Sequence, residues 1–343
     1  MIKRWLPRIR HFEFLDRFER NYLSFPKRPV FLTSNHQTHQ AKELAMSHIS
    51  TADIEQVILP SSCDLGGFSV RRALPAPMRQ MVGPFIFLDS FGPVRFGEGE
   101  GIDTRPHPHI GLSTLTYLLE GELTHRDSER YVQSIRPGEV NVMVAGAGIV
   151  HSERTPEHQR ATGGKLAGLQ SWIALPKKSE ETAPLFQHLD AGSLPTVSGE
   201  GIGMKLLAGN LHGRQSPATV FSDLFAAEVH LEAGARYRID GEHVERAIFV
   251  VAGALEIVGQ DGNFGQDRLL VFKPGSEIVV KATGPARFLA FGGEPLPEKR
   301  FIRWNFVATD QERIRHAADL WRERGFPGVP DDDEFIPLPE NFR

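Results

Sequence analysis

From Ile54 onward, short apolar runs alternate with breaks built on Gly and Pro. IEQVILP, FSVRRAL and FIFLDSF fall between residues 54 and 100. LSTLTYLL starts at Leu112 and runs into Glu120-Gly121-Glu122, a tight hairpin signal that leads to LTHRD. Pro137-Gly138 marks a turn, after which Val140, Val142 and Val144 alternate along one face of a strand. LAGLQSWIAL reads as a further strand. The pattern then recurs. RAIFVVAGALEIV reads as two strands about Gly253, KPGSEIVVKA carries a second Pro-Gly turn, and RFLAFGG closes the unit. Aligning Gly121 with Gly253 sets YLLEGELTH over FVVAGALEI, and Pro137-Gly138 then meets Pro274-Gly275. The pattern predicts an all-β chain of two related barrels in tandem, 54–180 and 201–343. A linker richer in Pro, Ser, Glu and Gly is placed at 181–200.

The end of the chain differs. Thr309 and Glu312 suggest a capping box, and Ile314, Ala317, Ala318 and Trp321 then share one helical face up to a stop at Gly325. This predicts a short C-terminal helix packed on a barrel, followed by an extended, Pro-rich tail. Residues 1–53 are expected to be a poorly ordered extension. Residues 1–45 carry nine Lys/Arg against four Asp/Glu, so the alternative is a basic interaction arm.

Length and composition narrow the classes. A chain of 343 residues is long enough for two cores. A net charge of -4 gives no support to broad nucleic-acid binding, which needs a positive surface. No apolar run approaches the ~20 residues of a membrane helix, and the N-terminus lacks the apolar stretch of a signal peptide. The single cysteine, Cys63, excludes an intramolecular disulfide and reads as a small buried hydrophobe. The expected location is cytoplasmic.

Two pairs carry candidate chemistry. In His107-Pro108-His109, residues i and i+2 of a strand project to the same side, so both imidazoles can enter a barrel. His151-Ser152-Glu153 repeats that spacing. Either pair alone is weak, because His-x-Glu also occurs at His11/Glu13 and His243/Glu245. Their context is more telling. The first pair precedes a hairpin and the second follows a Pro-Gly turn, so an antiparallel barrel can bring three imidazoles and one carboxylate together. In the second barrel the matching positions are Ile239, Gly241, Phe288 and Ala290, none able to ligate, so one metal site is expected and only in the first.

At these residues the chain resembles the cupin superfamily. Gly101, His107, His109 and Gly121 fit the first cupin motif, although Ser113 and Thr114 occupy its Glu positions. PGEVNVMVAGAGIVH is similar to the second motif, with His151 as its ligand. The HPH, TYLLEGE and AGAGIVHSE segments resemble the pirin family of bicupins, over about residues 54–343. That resemblance implies two jelly-roll-type barrels and the ligand set His107, His109, His151 and Glu153. Three imidazoles and a carboxylate favour Fe(2+), with Mn, Ni, Co, Cu and Zn as alternatives. The resemblance further implies a metal-dependent oxidoreductase of the quercetin 2,3-dioxygenase (quercetinase) type, taking a small aromatic substrate and O2, with Glu153 also a catalytic proton acceptor. The other function it implies is a non-enzymatic, redox-dependent protein partner or transcription co-regulator that need not touch DNA.

Overall fold

The computed structural model describes residues 54–64 and 69–342, so the N-terminal extension lies outside the described residues. The first part of the chain forms β1 (Ile54–Ile58), β2 (Ser61–Asp64), β3 (Ser69–Leu74), β4 (Phe85–Phe96), β5 (Asp103–His109), β6 (Leu112–Glu120), β7 (Leu123–Asp127), β8 (Val132–Ile135), β9 (Val140–Val144), β10 (Ile149–Arg154), α1 (Glu157–Thr162), β11 (Gly164–Ala174) and β12 (Leu185–Leu189). The second part forms β13 (Thr196–Gly199), β14 (Ile202–Leu211), β15 (Arg214–Gln215), β16 (Leu224–Leu231), β17 (Arg236–Ile239), β18 (Glu245–Ala252), β19 (Ala254–Ile257), β20 (Phe264–Gly265), β21 (Leu269–Phe272), β22 (Ile278–Ala282) and β23 (Ala286–Gly293), then β24 (Phe301–Arg303), β25 (Phe306–Ala308) and α2 (Gln311–Arg322).

Each barrel closes a large antiparallel sheet against a small one. In the first, the sheet β12-β9-β6-β11-β4-β3-β2 faces β5-β10-β7-β8. In the second, β1-β21-β18-β23-β16-β14-β13 faces β17-β22-β19-β20, with β15 added to β14. The two large sheets also pack on each other. Val140, Val142 and Val144 of β9 share one apolar cluster with Phe249, Leu289 and Phe291 of the second barrel. Phe85 meets Phe291 edge to face, with centroids 5.1 Å apart. Strand β9 is buried on both faces for this reason. Its alternate residue Met143 belongs to a cluster with Phe87 and Trp172, the other side of the same sheet.

The two ends of the chain are exchanged between the barrels. Strand β1 precedes the first barrel in sequence but pairs with β21 of the second. Residues 301–342 follow the second barrel but lie on the first. Val307 donates its N–H to the Ile110 carbonyl at 3.2 Å, and Ile336 donates to Pro106 at 2.9 Å. Ile314, Ala317, Ala318 and Trp321 of α2 are buried together with Ile110 and Val150, so the helical stripe is a packing face. Full burial of a side chain such as Ile314 contributes about 1.5–3 kcal/mol. The cap differs from expectation. Asp310 is the N-cap, accepting from the Glu312 N–H, while the Thr309 hydroxyl donates to Glu180. Asp310 lies one residue nearer the first turn, and its carboxylate is the stronger acceptor. Cys63, expected to be buried, is half-exposed on β2, the edge strand of its sheet.

The interior of the second barrel is filled by apolar side chains. Ile239, Phe288 and Ala290, three of the four positions matching the first barrel's ligands, belong to one cluster with Phe225, Leu255 and Phe272. His243 is buried against Phe225 and its Nε2 bonds the Asn210 carbonyl oxygen at 2.9 Å, which makes it a packing residue. No helix of the described residues is long and apolar enough to cross a membrane.

Candidate metal centre

Three adjacent strands, β5, β10 and β7, build the site. In the β5–β10 ladder His151 lies opposite His107, and Ile149 opposite His109. In the β10–β7 ladder Asp127 lies opposite His151, and His125 opposite Glu153. Alternation then sends His107, His109 and His151 into the barrel. All three are buried, and their ring centroids are 4.4–5.0 Å apart. Each offers a nitrogen, and these atoms lie within 4.8 Å of one another. A second group of Glu139, His188 and Asp190 lies apart from them and is only partly buried.

The other ring nitrogens are occupied. His107 Nδ1 donates to the Arg105 carbonyl at 2.8 Å and His109 Nδ1 to the Asn305 carbonyl at 3.1 Å. His151 Nδ1 faces His125 Nδ1 at 3.4 Å. Three Nε2 atoms are thereby left to ligate, and His151 Nε2 is buried with no hydrogen-bond partner. A buried, unpaired polar nitrogen is costly, and a metal ion is the partner that this donor set fits. Burial also suppresses basicity. It lowers the His107 pKa to about 4, and it holds His109 and His151 well below the ordinary range, with the neighbouring imidazoles adding to the effect. At neutral pH all three are neutral, the state that binds a metal.

Glu153 sits beside this trio but is not one of the atoms that converge. Both its oxygens accept from Gln170 Nε2 of β11, each at 3.0 Å. Burial raises its pKa, against the lowering effects of His125 and the Gln170 and Thr116 hydrogen bonds. Glu153 and His107 line a cavity of about 120 Å3, walled by Phe87, Phe91, Leu123 and Trp172. Trp172 stacks on Phe87 at 4.0 Å and meets His109 edge-on at 5.0 Å. Arg72, Asp89, Thr116 and Gln170 add polar groups to the lining, and Ile302, Trp304, Asn305 and Ile336 show that the exchanged C-terminal segment forms part of the wall.

Sequence reasoning missed four residues. Gln170 gave no signal, being one polar residue within a strand. Asn305 acts through its backbone. His125 and Asp127 did leave a trace, since LTHRD repeats the i, i+2 spacing of the two recognised pairs just after the hairpin. Their positions beside His151 and Glu153 depend on strand pairing, which that spacing does not reveal.

Two family models match the chain: Pirin over residues 67–173 and the Pirin C-terminal cupin domain over 226–327. The chain belongs to the pirin family. Its two barrels are accordingly cupin domains, as the resemblance implied. A pirin-like protein of Caulobacter vibrioides is 45% identical over 282 residues, covering 81% of this chain and 96% of its relative. The crystal structure of a quercetin 2,3-dioxygenase from Acinetobacter baumannii matches at a TM-score of 0.76 with 33% identity, covering 84% of this chain and 97% of the other. A bacterial pirin of Escherichia coli, solved with nickel(II), shares the fold at a TM-score of 0.56 and 20% identity, over 70% of this chain and 99% of its own.

Proposed function

We propose that this pirin is a cytoplasmic, iron-dependent dioxygenase of the quercetin 2,3-dioxygenase type, with His107, His109, His151 and Glu153 as metal ligands. The observation that carries the reading is the convergence of three neutral, oriented imidazoles beside a buried carboxylate, at the wall of an aromatic-lined cavity. Likeness to the Acinetobacter enzyme supports the substrate class, a small aromatic with an enolic or phenolic hydroxyl, together with O2.

Ferrous iron held by three imidazoles and one carboxylate would supply Lewis acidity and open coordination positions for substrate and O2. The histidines act as ligands only. Glu153 is suited to a second task. Gln170 fixes where its oxygens stand, at the cavity wall within reach of a bound hydroxyl. The substrate hydroxyl proton would pass to Glu153. Phe87, Phe91 and Trp172 give the cavity aromatic walls against which a ring can pack. The cavity is close in size to the ~150 Å3 apolar cavity known to hold benzene, so it admits one ring beside the site.

Anaerobic reconstitution with ferrous iron, followed by oxygen uptake with quercetin and a panel of enolic and phenolic compounds, tests the proposal. Uptake that requires both iron and a flavonol or phenol is expected. If iron binds but no compound drives uptake, the partner-binding reading takes its place.

A further inference from the structure

The three candidate ligand histidines are oriented in two different ways. His107 and His109 each donate Nδ1–H to a backbone carbonyl. For His107 that carbonyl, of Arg105, lies where the β5–β10 ladder is irregular, between Thr104 and His107. His151 lies on β10, which is laddered on both sides, to β5 and to β7. Unlike the other two, His151 has a side chain and not a carbonyl facing its Nδ1.

His125 is that side chain. Its Nε2 bonds Asp127 Oδ2 at 2.9 Å, and its Nδ1 faces His151 Nδ1 at 3.4 Å. Asp127 is fixed in turn, since its Oδ1 accepts the backbone N–H groups of Glu129 at 2.9 Å and Tyr131 at 3.0 Å. His125 is stacked on Phe186, with centroids 4.4 Å apart. The side chains of His125 and Asp127 are 5% and 0% exposed, so water does not compete for these bonds. The proton positions follow from the partners. A carboxylate accepts, so a singly protonated His125 carries its proton on Nε2 and leaves a lone pair on Nδ1. The nitrogen facing that lone pair must donate. His151 therefore carries its proton on Nδ1, and its unpartnered Nε2 presents a lone pair.

We propose that Asp127 and His125 are positioning residues: a buried relay that fixes the tautomer and ring orientation of His151 so that Nε2 is the metal-binding atom. The relay rests on the metal-binding reading above, and the experiment separates the two.

Proton-detected two-bond 1H–15N spectra of the metal-free full-length protein report which nitrogen of each imidazole is protonated. Nε2–H is expected on His125 and Nδ1–H on His151; the opposite tautomer on either ring overturns the relay, with no variant needed. The second arm measures the affinity of the full chain for cobalt(II), by competition with a chromophoric chelator, together with the cobalt absorption bands. His125→Phe keeps the stack on Phe186 but removes the acceptor, and should weaken cobalt binding about 10–100-fold and shift its bands. His125→Asn keeps an acceptor oxygen near the position of Nδ1 and should restore most of the affinity. A Phe variant equal to wild type, or Phe and Asn variants equally weakened, would sink the proposal. If His125→Phe does not fold, the tautomer spectra and the Asn variant decide. If wild-type protein binds no cobalt, the metal-binding reading fails, while the spectra still answer for the relay.

Discussion

Three of the four candidate ligands are imidazoles kept neutral by burial, and this has a consequence for stability. An unfolded histidine titrates near ~6.5, whereas His107 in the folded protein titrates at about 4. Between those values the unfolded chain takes up a proton that the folded one refuses. Stability therefore falls as pH drops through that window and levels off below it, by roughly 3 kcal/mol for His107 alone. His109 and His151 act in the same direction. Glu153 opposes them, because its raised pKa lets the folded form keep a proton longer as pH rises. Burial raises the pKa of Glu180 in the same way as that of Glu153, so three imidazoles act against two carboxylates; metal-stripped protein should show a lower urea midpoint at pH 5 than at pH 7, and His107→Asn should shrink the difference. A midpoint gap unchanged by the substitution would contradict this. For Glu153→Gln the expectation divides. An amide oxygen still ligates weakly, but an amide accepts no proton, so metal content should fall modestly and turnover by about 10²–10⁴. Activity per bound iron, read by elemental analysis alongside oxygen uptake, checks it; a constant ratio would leave Glu153 a ligand only. At this scale the sequence showed which side chains could chelate, because the i, i+2 spacing and the strand geometry are local. It did not show that Gln170 holds Glu153, a contact between two sheets, or that His125 faces His151, a contact between neighbouring strands whose pairing is not local in sequence.

At the scale of elements, the alternation of the strands was legible because each sheet puts one face toward a barrel interior. Strand β7 is the clear case, with Leu123, His125 and Asp127 buried and the residues between them half-buried. What alternation cannot specify is the partner sheet. IEQVI alternates as well beside the second barrel as it would beside the first, which is why the exchange of β1 was not foreseen. The link between β5 and β6 shows how tightly the elements meet. Gly111 has φ +67, and a Cβ there would overlap the Val307 carbonyl oxygen of β25. Gly111→Ala combines left-handed strain with a clash against backbone, so a loss of about 2–4 kcal/mol is expected, measured by chemical denaturation. Because β25 borders the loop that bonds His109, the same variant should also bind metal more weakly.

For the whole molecule, the two barrels share a fold but not an interior. The first keeps a cavity with polar groups at its wall, and the second is packed with Phe288, Ala290, Ile239 and their neighbours. One tightly bound ion per chain is expected from elemental analysis, and two would refute it. Both barrels contribute to one core through their large sheets, so a single cooperative unfolding transition is the natural expectation for the described residues.

The exchanged ends add a constraint of timing. Synthesis proceeds from the N-terminus, and the four candidate ligands, His107 to Glu153, emerge first. The carbonyl that orients His109 belongs to Asn305, and Ile336 lines the cavity, so both are made well after the ligand strands. A nascent chain stalled after residue 200 would expose the metal-binding strands without the C-terminal part of the cavity wall, while β1 waited for β21. Ribosome-bound chains of increasing length should acquire protease resistance in one late step, once the tail has cleared the exit tunnel, and hold cobalt only from that point. On this account the centre is assembled only once residues 301–342 have joined the first barrel, so an ion captured before that point would not be retained.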